Sequence, residues 1–240
     1  MSESVCLEAK NISLTFRARR GFFRYSYHTA LDNVSFDIRK GETVGIVGRN
    51  GCGKSTLLKV LADILKPDAG ELVSHVNYVS LQSLATGFEK NLSGRDNAIL
   101  SAMLLGHTLE QATAALPDIC DFAELGDSFD EPVKTYSSGM RARLGFSTAM
   151  LMHADVLLVD ETLGVGDSRF KKKAEAAILD KINSDQTVVF VSHQSSQVER
   201  LCNRAVWLEK GQVMEVGDTK TVLNNYQAFL ATLPNPQKRK

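Results

Sequence analysis

A chain of 240 residues, 43% hydrophobic and 23% charged, is long enough to bury a substantial core. Lys plus Arg equals Asp plus Glu at 28 each, so no global basic field points to nucleic acid, and no nucleic-acid partner is expected. No stretch approaches the roughly 18 uninterrupted apolar residues of a membrane span, and MSESVCLEAK lacks a signal-peptide pattern, so a soluble, cytoplasmic chain is expected.

From Val5 to Phe16, and again from Ala30 to Ile38, apolar and polar residues alternate, which predicts two half-exposed antiparallel strands in a small sheet. Between them lies Arg17 to Thr29, RARRGFFRYSYHT, too basic and aromatic for an ordinary hairpin tip and read as a long insertion. Thr43 to Val47 is a short apolar run of the kind that forms a buried strand. Gly48 to Thr56, GRNGCGKST, follows and fits G-x-x-x-x-G-K-[ST].

That loop predicts a bound nucleoside triphosphate. Backbone N–H groups can wrap phosphate oxygens only where side chains stay small, hence Gly48, Gly51 and Gly53, with Asn50 and Cys52 between them. Lys54 supplies a mobile positive charge for the β- and γ-phosphates. Ser55 offers a hydroxyl to Mg²⁺, Thr56 completes the motif, and the following helix adds its N-terminal dipole. Phe16, closing the first strand, can stack on the base or belong to the core, with Tyr25 and Tyr27 as alternative rings. A disulfide at Cys52 would obstruct the ligand. Cys6, Cys120 and Cys202 are scattered with no C-x-x-C pair, so all four cysteines are read as reduced thiols.

Beyond the loop, Leu57, Leu58, Leu61, Ile64 and Leu65 recur at helical spacing until Pro67 and Gly70. A short strand is expected over Asn77 to Leu81. From about Leu84 to Met152 the chain becomes helical in character, which predicts a helical subdomain (84–152) inserted into a core of 1–83 and 153–240. Asp155 to Asp160 then reads as a buried parallel strand closed by two carboxylates. Asp160 can hold Mg²⁺ through water, and Glu161 can act as general base toward an attacking water, unless the pair is merely a solvated acidic turn. A helix over Arg169 to Ile182 leads to a strand over Thr187 to Val191, ending in Ser192 and His193, and His193 can be a structural histidine at a strand end or, beside those carboxylates, reach a γ-phosphate. An amphipathic hairpin, Ala205 to Val216, turns at Lys210 and Gly211. A short helix and a basic tail, read as a solvated end, finish the chain. No internal repeat is present, so the expectation is one cassette.

One further stretch decides the family. Tyr136 to Met140, YSSGM, heads an apolar helix just before the acidic strand. Phosphate loop, YSSGM, LLVDE and SH in this order resemble the ATP-binding subunit of an ABC transporter. The resemblance implies an α/β P-loop NTPase cassette, with a mixed central sheet flanked by helices, an antiparallel β subdomain and an inserted α-helical subdomain. It implies ATP and Mg²⁺ as cofactors. Gly48 to Thr56 matches the Walker A loop, Asp160 and Glu161 the Walker B carboxylate and catalytic glutamate, and His193 the switch histidine. Ser137 and Gly139 match the signature positions that bind the γ-phosphate of ATP held by a second copy, although Ser138 and Met140 depart from LSGGQ. Asp167 falls at the D-loop aspartate, Phe16 at the adenine-stacking aromatic, and Gln82 lies within a residue or two of the Q-loop glutamine, a further metal contact.

The run ATGFEKNLSGRDNAIL, the insertion after the first strand and the ETLGVGD run resemble the polysaccharide and teichoic-acid exporters of that family. The implied partners are a second copy, closing an ATP sandwich, and a transmembrane permease. The implied place is the cytoplasmic face of the inner membrane, as a peripheral subunit. The implied cargo is a lipid-linked polysaccharide of capsule or O-antigen type, whose anionic head suits the Arg17–Thr29 segment. The chain ends too soon after its hairpin for the C-terminal carbohydrate-binding domain of some O-antigen exporters, which favours a capsule-type exporter or an O-antigen exporter without that domain. The alternatives are an ABC ATPase of another transporter class and a non-transport regulator acting on ribosomes or DNA. Regulators of that kind usually join two cassettes or insert a long coiled coil.

Overall fold

The computed structural model describes residues 4–19, 25–82, 87–160, 167–192 and 194–233. Glu161 and His193 lie outside them, as does the side chain of Gln82.

Two sheets organise the chain. The strands β1 (Val5–Arg19), β2 (Tyr25–Arg39) and β4 (Ala69–Ser74) form an antiparallel sheet in the order β2-β1-β4. The larger sheet has the order β5-β6-β7-β3-β8-β9, from β3 (Thr43–Val47), β5 (Val79–Gln82), β6 (Val156–Asp160), β7 (Thr187–Val191), β8 (Arg204–Glu209) and β9 (Gln212–Asp218). Its strands are parallel except β9.

The central strands are almost purely apolar because both faces are covered. Alternate side chains feed two cores. Val44, Ile46, Leu158, Val189 and Val206 join the cluster that includes α1 (Lys54–Leu61) and the small sheet. Val47, Leu157, Val159, Val188 and Trp207 join the other, built with α5 (Ser138–Leu151), α6 (Ser168–Ile182), α7 (Ser195–Leu201) and α8 (Thr219–Thr232). A third cluster lies among α2 (Gly94–Leu104), α3 (Leu109–Ala114), α4 (Leu116–Ala123) and α5, within the stretch that reads as helical.

Several expectations need correction. Arg17–Thr29 is not a separate insertion, because β1 runs on to Arg19 and β2 starts at Tyr25. Arg17 pairs with Tyr27 and Arg19 with Tyr25, so the described part is a continued ladder. The aromatic and basic side chains stabilise it diagonally, the Arg17 guanidinium lying 3.6 Å over the Tyr25 ring. The hairpin Ala205–Val216 is amphipathic only in β9. β8 is buried from Ala205 onward because it lies between β3 and β9. The closing helix is 14 residues long rather than short, held by Trp207 against Tyr226 and Phe229. Two elements have no counterpart in the sequence reading, β4 and α7. α7 explains why β3 carries a glycine among apolar residues: a Cβ on Gly45 would lie 2.4 Å from Val198.

Candidate nucleotide-binding site

The phosphate loop joins β3 to α1, which begins at Lys54 as the motif requires. Its glycines are needed for different reasons. Gly53 caps the helix at φ 110°, and a Cβ there would meet the Ala30 carbonyl at 2.4 Å. Gly51, at φ 77°, faces open space, so only its backbone conformation demands glycine. Lys54 Nζ donates to the carbonyls of Gly48 (2.7 Å) and Arg49 (3.0 Å), which holds the ammonium over its own loop. Cys52 is buried, and burial pushes its thiol up. All four cysteines are unpaired, as expected.

A cavity of about 600 Å³ opens over this loop, lined by Asn50, Gly51, Gly53, Lys54, Ser55, Thr56 and Asp160 on one side and Phe16, His28 and Ala30 on another. Asp160 ends β6 beside β7 and opposite Val191, which brings a strand-end carboxylate into the cavity that Ser55 also lines. Two hard oxygen donors beside a lysine and a glycine-rich backbone fit Mg²⁺ with a polyphosphate. Among the described residues no cluster of three or more His, Cys, Asp or Glu could hold a metal by itself.

Phe16 is 42% exposed, so it is not a core ring, and it faces the cavity. A register shift between Leu14 and Thr15 re-aims it, and the Thr15 N–H donates to Asp68 (2.7 Å) at that irregularity. Before the shift Leu14 and Leu31 are core, and after it Phe16 pairs with His28 and both line the cavity. Tyr25 and Tyr27 are exposed but do not line it. His28 went unnoticed in the sequence because it lies in the segment read as an insertion. Strand alternation alone does not mark it, because its pairing with Phe16 follows the register shift at Leu14 and Thr15.

The signature residues sit elsewhere. Ser137 caps α5, its hydroxyl accepting from the Met140 N–H at 3.1 Å, and Gly139 follows in the first turn. Tyr136 is buried, its hydroxyl donating to the Ser128 carbonyl, and burial pushes its pKa up to about 12. Gly94 is a necessity there, since a Cβ would lie 2.1 Å from the Tyr136 oxygen. Asn97 closes the preceding loop. Its Nδ2 lies 3.0, 3.2 and 2.8 Å from the carbonyls of Glu89, Leu92 and Ser93, and its Oδ1 accepts from the Glu89 N–H at 2.8 Å. The run LSGRDN thus buttresses YSSGM. Asp167 caps α6, and the N–H groups of Phe170 and Arg169 hold its carboxyl below the usual range. Ser137, Gly139 and Asp167 are not among the residues lining the Lys54 cavity. Gln82 ends β5 opposite Val159, one residue short of Asp160 on the neighbouring strand.

The comparisons agree with this geometry. A family model described as ABC transporter matches residues 31–164, from the second strand past the acidic strand. The chain is 39% identical over 220 residues to the O-antigen export system ATP-binding protein RfbB of Klebsiella pneumoniae, covering 91% of this chain and 89% of that protein. It is 42% identical over 221 residues to the teichoic acids export ATP-binding protein TagH of Bacillus anthracis, covering 90% of this chain but spanning only 39% of that longer protein. Among solved structures, the post-hydrolysis dimer of the ATP-binding cassette MJ0796 bound to ADP and Pi superposes with a TM-score of 0.68. It is 23% identical and covers 89% of this chain and 98% of that one, a likeness of fold. An ATP-binding subunit of an ABC transporter reaches 0.72 at 21% identity, covering 92% and 93%. With the phosphate loop, the capped YSSGM helix and the acidic strand all inside the matched segment, the chain belongs to the ABC transporter family.

Proposed function

We propose that this chain is the ATP-hydrolysing subunit of a transporter that exports a lipid-linked polysaccharide. The observation that carries the reading is the single cavity gathering Phe16, the phosphate loop, Ser55 and Asp160. Asn50 to Thr56 bind the triphosphate, with Lys54 compensating its charge and Phe16 and His28 flanking the base. Ser55 and Asp160 would hold Mg²⁺, with Gln82 as a further contact, and the ion would supply charge compensation at the phosphates. Glu161 orients the attacking water and accepts its proton, and His193 stabilises the γ-phosphate.

Ser137, Gly139 and Asp167 serve the nucleotide of a second copy. Their place outside the lining of the chain's own cavity supports that division. A permease subunit is the further partner. A cleft of about 690 Å³, lined by Ile64, Val76, Leu81, Phe88 and Leu104, offers it a seat, and Ile64, Met103 and Leu104 are exposed apolar residues around it. Among the described residues no helix is long and apolar enough to cross a membrane; the proposal places the chain as a peripheral subunit at the cytoplasmic face, beside the permease.

The names of the relatives support polysaccharide as the cargo class. The paired strand ends that carry Arg17, Arg19, Tyr25 and Tyr27, with both tyrosines exposed, suit an anionic headgroup at the membrane surface. The test shortens the hairpin without touching Phe16 or His28: residues 18–26 are replaced by Asn-Gly. Cells carrying only this variant should lose surface glycan while the purified protein binds ATP as before. Undiminished glycan would count against the hairpin's role, and co-purification with ribosomes instead of a membrane subunit would overturn the export reading.

A further inference from the structure

The turn between β8 and β9 is pressed against the phosphate loop. A Cβ on Gly48 would lie 2.0 Å from the Leu208 carbonyl oxygen, and the Gly211 N–H donates to the Cys52 carbonyl at 2.9 Å. Between these contacts Glu209 extends toward the loop from a nearly closed position, its side chain 8% exposed. Oε1 lies 3.4 Å from Arg49 Nη1, and Oε2 is buried with no hydrogen-bond partner among the described residues.

A buried carboxylate so poorly satisfied costs stability, and one exposed guanidinium does not repay it. Its placement therefore needs a reason other than folding. Arg49 supplies one, because its carbonyl is the acceptor for both the Lys54 ammonium (3.0 Å) and the Cys52 N–H (3.2 Å). The residue gripped by Glu209 is the one that bends the loop and holds its lysine.

We infer that Glu209 is a positioning residue for ATP: acting through Arg49, it fixes the phosphate loop in the conformation that receives the triphosphate. The inference rests on the nucleotide reading of Gly48–Thr56 and is independent of what is exported. A variant lacking the grip keeps its fold but samples loop conformations that must be reordered on binding, which weakens affinity.

Calorimetric titration of the full chain with Mg-ATP tests this. Glu209→Gln and Arg49→Ala should each raise the Kd about 5- to 10-fold, and the double variant no further than either alone. Arg49→Lys should recover most of the loss. Thermal denaturation of the ligand-free proteins is the control. A pair of merely structural value would lower the melting temperature and leave the Kd unchanged, and that result, or additive losses in the double variant, would overturn the inference. Should Glu209→Gln fail to fold, the exposed Arg49 variants decide the matter alone, since an unaltered Kd in Arg49→Ala is enough to refute it. Absence of ATP binding by the wild-type chain would instead sink the nucleotide reading itself.

Discussion

Lys54 shows what a side chain at this loop must do. Its ammonium already has two carbonyl acceptors, from Gly48 and Arg49, so it is oriented over the loop. Phosphate oxygens are charged acceptors and outcompete carbonyls for such a donor. Lys54→Ala should therefore raise the Kd for Mg-ATP by about 10- to 100-fold, the value of charge-assisted hydrogen bonds. Calorimetry reads it, and equal affinity would count against the phosphate-loop assignment. Most of this site is legible in the sequence because its chemistry is compressed into nine consecutive residues. Asp160 is legible as well, since a strand that is apolar throughout and ends in carboxylates has few other uses. His28 is not legible, because its role depends on a register with Phe16 that follows a bulge, and strand pattern does not reveal a bulge. Glu209 is hidden for a similar reason: in sequence it is only the charged flank of a turn.

At the scale of elements, the chain's corrections share a cause. The first strand of the Ala205–Val216 hairpin is buried rather than amphipathic, and α7 leaves no signal in the sequence, because each is defined by what packs on it rather than by its own periodicity. One junction carries a measurable consequence. Arg204 on β8 reaches Asp37 on β2 (2.7 Å) and Glu42 in the turn before β3 (3.2 Å), so a single guanidinium ties the small sheet to the large one. Asp37 is also paired with Arg39. The Arg204 hydrogen bond, followed by that of Arg39, lowers the Asp37 pKa from 3.8 to about 2, whereas burial raises that of Glu42.

The signs are opposite. Asp37 is more acidic when folded, so its stabilisation is complete above 3.8 and is lost as pH falls toward about 2. Glu42 binds its proton more readily when folded, so its contribution grows as pH falls through its folded value. Arg204→Met should cost on the order of 3 kcal/mol at neutral pH, leaving the Glu42 carboxylate buried without the Arg204 guanidinium. It should also flatten the acid loss attributable to Asp37. Urea denaturation of both proteins at neutral pH and in the acid range tests this. An unchanged acid slope would show that Arg204 does not set the Asp37 titration.

The whole molecule is a cassette whose motif residues fall in two separate places. The phosphate loop, Asp160 and Phe16 converge on one cavity, while Ser137 and Asp167, which cap helices, and Gly139, in the first turn of α5, do not line it. The sequence reveals both sets as motifs, but only the fold separates them in space. Such a separation makes sense if two copies close face to face, each completing the other's nucleotide site. Glu161 provides the handle. On the proposed role of Glu161 as general base, converting it to Gln keeps the shape and polarity of the side chain but removes the base, so ATP should bind, the dimer should close, and turnover should fall to near zero. The measurement is the molar mass of the Glu161→Gln protein in solution by light scattering, with and without saturating Mg-ATP. The expected result is a shift from monomer to dimer on adding ATP, with no steady hydrolysis. A monomer at saturating ATP, or a variant that still turns over, would contradict it.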